Sequence, residues 1–264
     1  MIRLSACIEM LFAERPFIER IAAAKAAGFD GFEFWGWADK DMGAIKAAMA
    51  ASKLPCAGFA LATRDAARGK AYADGCMLRR KNASVYVEMV EESAEAAKAL
   101  GVATLITTVG NELTAISRGA QQDSIVECLI AAAPVAKRHG VTLVLEPLNI
   151  AVDHKGYYLS TSAQAFEILE AVNSPNVKML FDIYHQQITE GNVIDNLTRC
   201  VGRIGHFHLA DVPGRHEPGS GEIDYRNVFR ALREAGYERY VGLEYQPRGD
   251  TDATLRALYA IAGM

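Results

Sequence analysis

The sequence predicts an α/β fold, a single (β/α)8 TIM barrel over residues 1–264, from three observations. Short runs rich in β-branched and aromatic residues alternate with longer runs rich in Ala, Leu, Glu and Lys, as strands alternate with helices. Eight strand-like runs divide the 264 residues into units of about 33, and one such barrel commonly takes about 250 residues. No tract rich in Pro, Gly or Ser divides the chain, and no glycine-rich phosphate turn follows the first strand, as it would in a doubly wound open sheet.

The predicted strands and helices follow one another in order along the chain, with helix-ending residues between them. Pro16 favours a helix start and Gly28 a helix end, and further helix-ending glycines stand at 101, 140 and 236. The predicted strands are Arg3–Ile8, Gly31–Trp35, Pro55–Leu61, Ala103–Thr108, Thr142–Glu146, Val177–Asp182, Ile204–Ala210 and Tyr240–Tyr245. The predicted helices include Pro16–Ala27, Val85–Leu100, Ser124–Arg138, Ser162–Val172, Asp224–Glu234 and Thr251–Ile261. The polar segment Ala62–Lys81 is expected to pass over the mouth of the barrel.

Composition argues against several classes of function. The chain has 28 Lys and Arg against 32 Asp and Glu, a net charge of −4, so a nucleic-acid partner is not expected. The 5 Cys form no CxxC pair, which indicates reduced thiols in a cytoplasmic protein rather than a disulfide framework or a zinc knuckle. Glu9 and Glu14 interrupt the N-terminal segment, and no apolar stretch reaches membrane-spanning length, so neither a signal peptide nor a membrane partner is expected.

The fifth to eighth predicted strands each end in a side chain that can bind a metal. These side chains are Glu146, Asp182, His208 and Glu244. One strand-end acid alone would often be a helix cap or an ion pair, but in a parallel barrel four successive strand ends share the face that holds the active site. Three carboxylates at one point would repel one another, and a divalent cation removes that repulsion. Oxygen donors with one imidazole suit Mg²⁺, Mn²⁺ or Co²⁺, so the sequence predicts one such cation and no organic cofactor. His206 would share a strand face with His208, as its partner or as a packed residue.

Polar and aromatic residues beside these strand ends are candidates for substrate contact. His185 lies one helical turn after Asp182, so it either faces the same pocket or serves as a capping or core histidine. Arg215 stands in a loop rich in Gly and Pro, where it either reaches an anionic or hydroxylated substrate or faces solvent. Trp35 and Trp37 are expected to wall the pocket against a small carbon chain, to seal the barrel, or to form a subunit contact.

Motifs spread along the whole chain point to a known family. They are Met10-Leu-Phe-Ala-Glu-Arg-Pro-Phe-Ile-Glu-Arg, Ala-Gly-Phe-Asp-Gly-Phe-Glu-Phe, Leu145-Glu-Pro-Leu-Asn, Phe181-Asp-Ile-Tyr-His-Gln-Gln, Val212-Pro-Gly-Arg-His-Glu-Pro and Gly242-Leu-Glu-Tyr-Gln-Pro-Arg-Gly. With them the chain resembles the hydroxypyruvate isomerase family of the xylose-isomerase-like barrel superfamily. The resemblance implies that Glu146 and Glu244 transfer the proton, that the four strand-end residues hold the metal, and that His185 and Arg215 contact the substrate. It also implies a small hydroxy-keto acid as substrate and a homo-oligomer as the assembly.

The chemistry implied is proton transfer through an enediolate. One glutamate takes a proton beside the ketone of hydroxypyruvate, the cation stabilises the enediolate, and a proton returned to the adjacent carbon gives tartronate semialdehyde. Hydroxypyruvate isomerases often have Gln at the position of His208, whereas the related ketose 3-epimerases have His there. A ketose 3-epimerase of the D-tagatose, D-allulose or L-ribulose type is therefore the alternative, with the same glutamates and metal. A DNA repair nuclease would need more than the 6 His present and a cationic groove, and a non-catalytic carbohydrate-binding barrel would hold no metal.

Overall fold

A closed barrel of parallel strands forms the centre of the molecule. The computed structural model describes residues 2–263, apart from the side chains of residues 252, 257 and 262, so the two terminal methionines of the predicted domain lie outside the described residues. Within the described part, eight strands pair in chain order and the last pairs with the first, which confirms the predicted (β/α)8 barrel. The strands are β1 (Arg3–Cys7), β2 (Gly31–Phe34), β3 (Cys56–Ala60), β4 (Thr104–Thr107), β5 (Thr142–Leu145), β6 (Val177–Asp182), β7 (Ile204–Leu209) and β8 (Tyr240–Leu243).

The helices surround the barrel and connect its strands. They are α1 (Glu19–Ala26), α2 (Met42–Ser52), α3 (Ala66–Ala73), α4 (Ala83–Leu100), α5 (Arg118–His139), α6 (Ser162–Val172), α7 (Ile183–Thr189), α8 (Val193–Arg199), α9 (Tyr225–Glu234) and α10 (Thr251–Ala262). Several start at a side chain that accepts a free backbone N–H, for example Asp41 before α2 and Thr161 before α6. Helices α4 and α5 end at Gly101 and Gly140, whose φ angles of 69° and 67° are left-handed conformations that glycine adopts without steric cost.

Two helices begin more than two residues away from the predicted start. Helix α1 begins at Glu19 instead of Pro16, because residues 17 and 18 form a turn before it. Helix α5 is longer than predicted, because Ser117 caps it by accepting the N–H of Ala120, seven residues before the predicted start at Ser124. The segment 62–81, predicted to pass over the mouth of the barrel, contains α3 and the 3₁₀ turn Cys76–Leu78.

The core lies inside the barrel and between the barrel and its helices. Aromatic side chains of neighbouring strands stack in it, as Phe34 of β2 does on Phe59 of β3 with ring centroids 5.3 Å apart. Full burial of such a side chain stabilises the fold by about 1.5–3 kcal/mol. All 5 cysteines have free thiols, and Cys7, Cys56 and Cys128 are buried. No helix of the described residues combines the length and apolar character needed to cross a bilayer.

Candidate active site

The four strand-end side chains meet at the carboxyl end of the barrel. Glu146 follows β5, Asp182 ends β6, His208 lies near the end of β7, and Glu244 follows β8. All four are buried, and one nitrogen or oxygen atom from each lies within 4.8 Å of the corresponding atoms of the others. The structure therefore brings together the four residues that the sequence predicts as metal ligands.

The donor set of this cluster fits a divalent cation. His208 Nδ1 lies 3.1 Å from Glu244 Oε2 and 3.6 Å from Glu146 Oε1, yet neither nitrogen of the buried ring has a hydrogen bond of good geometry among the described residues. Burial alone would lower the pKa of His208, but the negative charges of Glu244 and Glu33 raise it well above its usual value. Burial also raises the pKa of Asp182. Burial thus disfavours the charged form of a carboxyl in this cluster, and a divalent cation would favour it. The three carboxylates and one imidazole are donors that Mg²⁺, Mn²⁺ or Co²⁺ accept.

Arg215 places a guanidinium against the same carboxylates. Its Nη2 lies 2.6 Å from Glu244 Oε2 and 3.7 Å from Asp182 Oδ2, and its side chain is 19% exposed. Burial alone would raise the pKa of Glu244, but the positive charges of His208 and Arg215 hold it well below its usual value. Glu244 is therefore ionised at neutral pH. Of the two alternatives that the sequence left for Arg215, the structure places it in the pocket and not in solvent.

The two tryptophans have different environments. Trp35 is 49% exposed and donates its indole N–H to Glu244 Oε1 at 2.7 Å. Trp37 is buried and donates its indole N–H to Ser93 Oγ of α4 at 3.0 Å. Trp35 therefore lies at the mouth of the site, where the sequence predicts a wall of the pocket, whereas Trp37 helps to seal the barrel against its helices.

His185 presents a neutral imidazole to the site. It lies in the first turn of α7, and its Nδ1 accepts the backbone N–H of Asn149 at 3.3 Å and lies 2.7 Å from Asn149 Nδ2. Since a backbone N–H only donates, Nδ1 is unprotonated and the ring proton resides on Nε2. Burial, with the charge of Arg215, lowers the pKa of His185 to about 4. Its Nε2 has no hydrogen-bond partner among the described residues and lies 3.6 Å from Asp182 Oδ2, so it is a donor aimed at the pocket.

Two further groups near the site were missed by sequence reasoning. Glu33 of β2 lies against His208, with its Oε1 2.8 Å from His208 Nε2, and its Oε2 2.8 Å from both His206 Nε2 and Ser5 Oγ. Burial alone would raise the pKa of Glu33, but His206 and His208 lower it to about 2. Asp211 lies buried at the start of the loop that carries Arg215. An acid between two phenylalanines of an apolar strand was the available signal for Glu33.

Comparisons with known proteins agree with this architecture. The family model described as xylose isomerase-like TIM barrel matches residues 21–261. A hydroxypyruvate isomerase of Escherichia coli (strain K12) is 34% identical over 256 residues, which are 97% of this chain and 98% of that protein. A 2-oxo-tetronate isomerase of Cupriavidus necator is 33% identical over 253 residues, 96% of either chain. A crystal structure described as AP endonuclease, family 2, from Brucella melitensis superposes with a TM-score of 0.89 at 33% identity and covers 98% of both chains.

Proposed function

We propose, because this chain belongs to the hydroxypyruvate isomerase family of xylose isomerase-like TIM barrels, that it converts hydroxypyruvate to tartronate semialdehyde with the help of one divalent cation. Its class, an isomerase or epimerase, follows from relatives that match it over nearly their whole length. The observation that carries the finer proposal is that Glu146 and Glu244 enter the same buried site, with the guanidinium of Arg215 beside them. A 2-oxo acid substrate has a carboxylate, and a guanidinium such as that of Arg215 binds a carboxylate well. Both relatives are named for 2-oxo acids.

The two glutamates are the proton-transfer pair in this proposal. Glu244 is held as an anion by Arg215 and by the indole N–H of Trp35. Glu146 is less restrained, because its closest ion-pair contact among the described residues is the 3.6 Å approach to His208. We therefore assign Glu146 to remove the proton from the hydroxymethyl carbon and, now protonated, to return a proton to the neighbouring carbon. The ionised Glu244 accepts the hydroxyl proton of the first carbon and delivers it to the oxygen of the former ketone.

The remaining groups hold the substrate and the cation. Glu146, Asp182, His208 and Glu244 would hold Mg²⁺, Mn²⁺ or Co²⁺. When bound, such a cation acts as a Lewis acid that makes the proton beside the ketone more acidic. Arg215 binds the substrate carboxylate, and the Nε2–H of His185 donates to a substrate oxygen. Trp35 covers the mouth of the site and limits the access of water to the enediolate.

The test follows hydroxypyruvate by NMR in D₂O, with the protein first stripped by a chelator and then given Mg²⁺, Mn²⁺ or Co²⁺. We expect tartronate semialdehyde with deuterium at its C2, and only when a cation is present. Glu146→Gln and Glu244→Gln should each lower kcat by about 10²–10⁴, the usual contribution of a general acid or base. Glu91→Gln is the matched control, since Glu91 pairs with His139 on the outer surface of the helices and should leave kcat unchanged.

Two results would refute parts of this proposal. If hydroxypyruvate is unchanged while a ketose exchanges deuterium at C3, the ketose 3-epimerase alternative replaces the proposed substrate. If the stripped protein is fully active and remains so with chelator present, the cation has no part in the reaction.

A further inference from the structure

We propose that Glu33 is a positioning residue that holds Nε2 of His208 and thereby directs Nδ1 of the same ring to the cation. The inference rests on the proposed function, in which His208 is a metal ligand. Glu33 of β2 is buried and lies 2.8 Å from both His206 and His208 of β7. Three independent features of the structure support this role.

The first feature is how the two oxygens of Glu33 are used. Oε2 accepts the hydroxyl proton of Ser5 at 2.8 Å and contacts His206 Nε2 at 2.8 Å. Oε1 has no hydrogen bond of good geometry among the described residues, and its close contact is His208 Nε2 at 2.8 Å. Ser5 and His206 therefore anchor one oxygen, so that the other is held against His208.

The second feature is the orientation of the His208 ring between two groups of carboxylates. Nε2 faces Glu33, while Nδ1 faces Glu244 and Glu146 at 3.1 Å and 3.6 Å. An ionised carboxylate can only accept a hydrogen bond, so Glu33 favours the tautomer of His208 that has its hydrogen on Nε2. That tautomer leaves the lone pair of Nδ1 free on the side of the proposed cation. A carboxylate on the far nitrogen of a metal-binding histidine commonly has this effect.

The third feature is the glycine that makes room for the pair. Gly242 of β8 is level with His208 of β7. A Cβ atom at Gly242 would lie 2.1 Å from Glu33 Oε1 and 2.7 Å from His208 Cδ2. Any larger residue would therefore push the carboxylate and the ring apart, so the backbone of β8 supplies the space that the contact needs.

The experiment measures Mn²⁺ affinity by calorimetry on stripped protein, without substrate. Glu33→Gln should weaken Mn²⁺ binding by about 10–100-fold, the usual effect of losing such a partner, because an amide cannot accept from both imidazoles at once. Gly242→Ala should weaken binding in the same direction by displacing the pair. Asp30→Asn is the matched control, because Asp30 immediately precedes β2, the strand of Glu33. Asp30 accepts the N–H of Leu4 at the opposite end of the barrel, so its replacement should not change Mn²⁺ affinity.

A second measurement uses the wild-type protein and does not depend on how the variants fold. In ¹⁵N NMR spectra of the Mg²⁺-loaded protein, with His208 assigned from the signals lost in His208→Gln, we expect the ring proton on Nε2. A proton on Nδ1 would overturn the proposal, and would place the cation among Glu33, His206 and His208. Unchanged Mn²⁺ affinity in a folded Glu33→Gln protein would overturn it as well.

The outcomes separate this inference from the proposed function. A wild-type protein that binds Mn²⁺ but leaves hydroxypyruvate unchanged refutes the proposed substrate, and the Glu33 variants still decide the positioning role. Normal isomerisation with unaltered metal binding in Glu33→Gln refutes the positioning role alone. A wild-type protein that binds none of the three cations refutes both.

Discussion

The buried carboxylate of Asp211 holds the loop between β7 and α9, which carries Arg215 into the site. Its Oδ1 accepts the backbone N–H of Val212 at 2.9 Å and of Ile223 at 3.1 Å, and its Oδ2 accepts that of Gly219 at 2.8 Å. These three hydrogen bonds tie the two ends and the middle of the loop to one side chain. Arg215 lies within the loop, so its position depends on Asp211.

Replacement of Asp211 by Asn should loosen this loop by a predictable amount. The amide oxygen can still accept two of the N–H groups, but the amide NH₂ then faces the third, that of Gly219. A hydrogen bond to a charged group contributes about 1.5–3 kcal/mol, so local opening should become easier by about 2 kcal/mol. Because 1.36 kcal/mol corresponds to a factor of ten, the amide of Gly219 should exchange about 30-fold faster. Arg215 should then be less well placed, and KM for hydroxypyruvate should rise more than kcat falls.

Hydrogen exchange followed by mass spectrometry, together with steady-state kinetics, provides the assay. Asp224→Asn is the matched control, because Asp224 lies at the end of the same loop and caps α9 through the N–H groups of Arg226 and Asn227. The control should cost up to about 1 kcal/mol of helix stability without altering exchange at Gly219. If Asp211→Asn leaves both exchange in the loop and KM unchanged, Asp211 does not hold Arg215 in place.

Three further predictions concern the pocket and its cation. Trp35→Phe removes the N–H donor to Glu244, so kcat/KM should fall about tenfold and the change in fluorescence on Mn²⁺ binding should disappear; the same loss in Trp37→Phe would contradict this assignment. Asn149→Asp places a carboxylate near Nδ1 of His185, and because a negative charge favours the protonated ring, the pKa of His185 should rise from about 4; an NMR titration with an unchanged midpoint would contradict it. Mn²⁺ at 100 times its Kd should add about 2.7 kcal/mol to the free energy of unfolding and raise Tm by about 5–10 °C, reversed by a chelator; equal Tm values with and without Mn²⁺ would refute specific binding.

The fold and the position of the candidate site follow from the sequence for a physical reason. Strands buried on both faces must be apolar, so an acid at the end of such a strand, as Glu146 or Glu244, marks the point where the strand leaves the core. Parallel pairing then brings those ends to the same face of the barrel. Both steps use only local sequence and the direction of the strands. The sequence could therefore predict that four residues, proposed as metal ligands, lie close together, as they do in the structure.

Sequence reasoning failed where a side chain's direction depends on more than strand alternation. Glu33 lies in β2, but Trp35 follows the end of that strand, so strand alternation does not relate the directions of the two side chains. The acid between Phe32 and Phe34 was a local signal for Glu33, but it does not say which other side chains the carboxylate meets. Trp37 lies beyond the end of the strand, where the backbone turns, so its direction depends on the turn and on the Ser93 hydroxyl of α4, which no periodicity reveals.

Which residues of neighbouring strands lie side by side is set by the register of the closed barrel. That register depends on how the strands pair, so the sequence of one strand does not reveal it. Asp182 of β6 pairs with His208 of β7, and His208 pairs with Gly242 of β8. The register between β6 and β7 shifts at an irregularity between Met179 and Leu180. A slip of one residue would turn His208 to the other face of the sheet and away from both Glu33 and the carboxylates. The barrel therefore places His208 between its two groups of carboxylates, and the glycine level with it on β8 makes that placement possible.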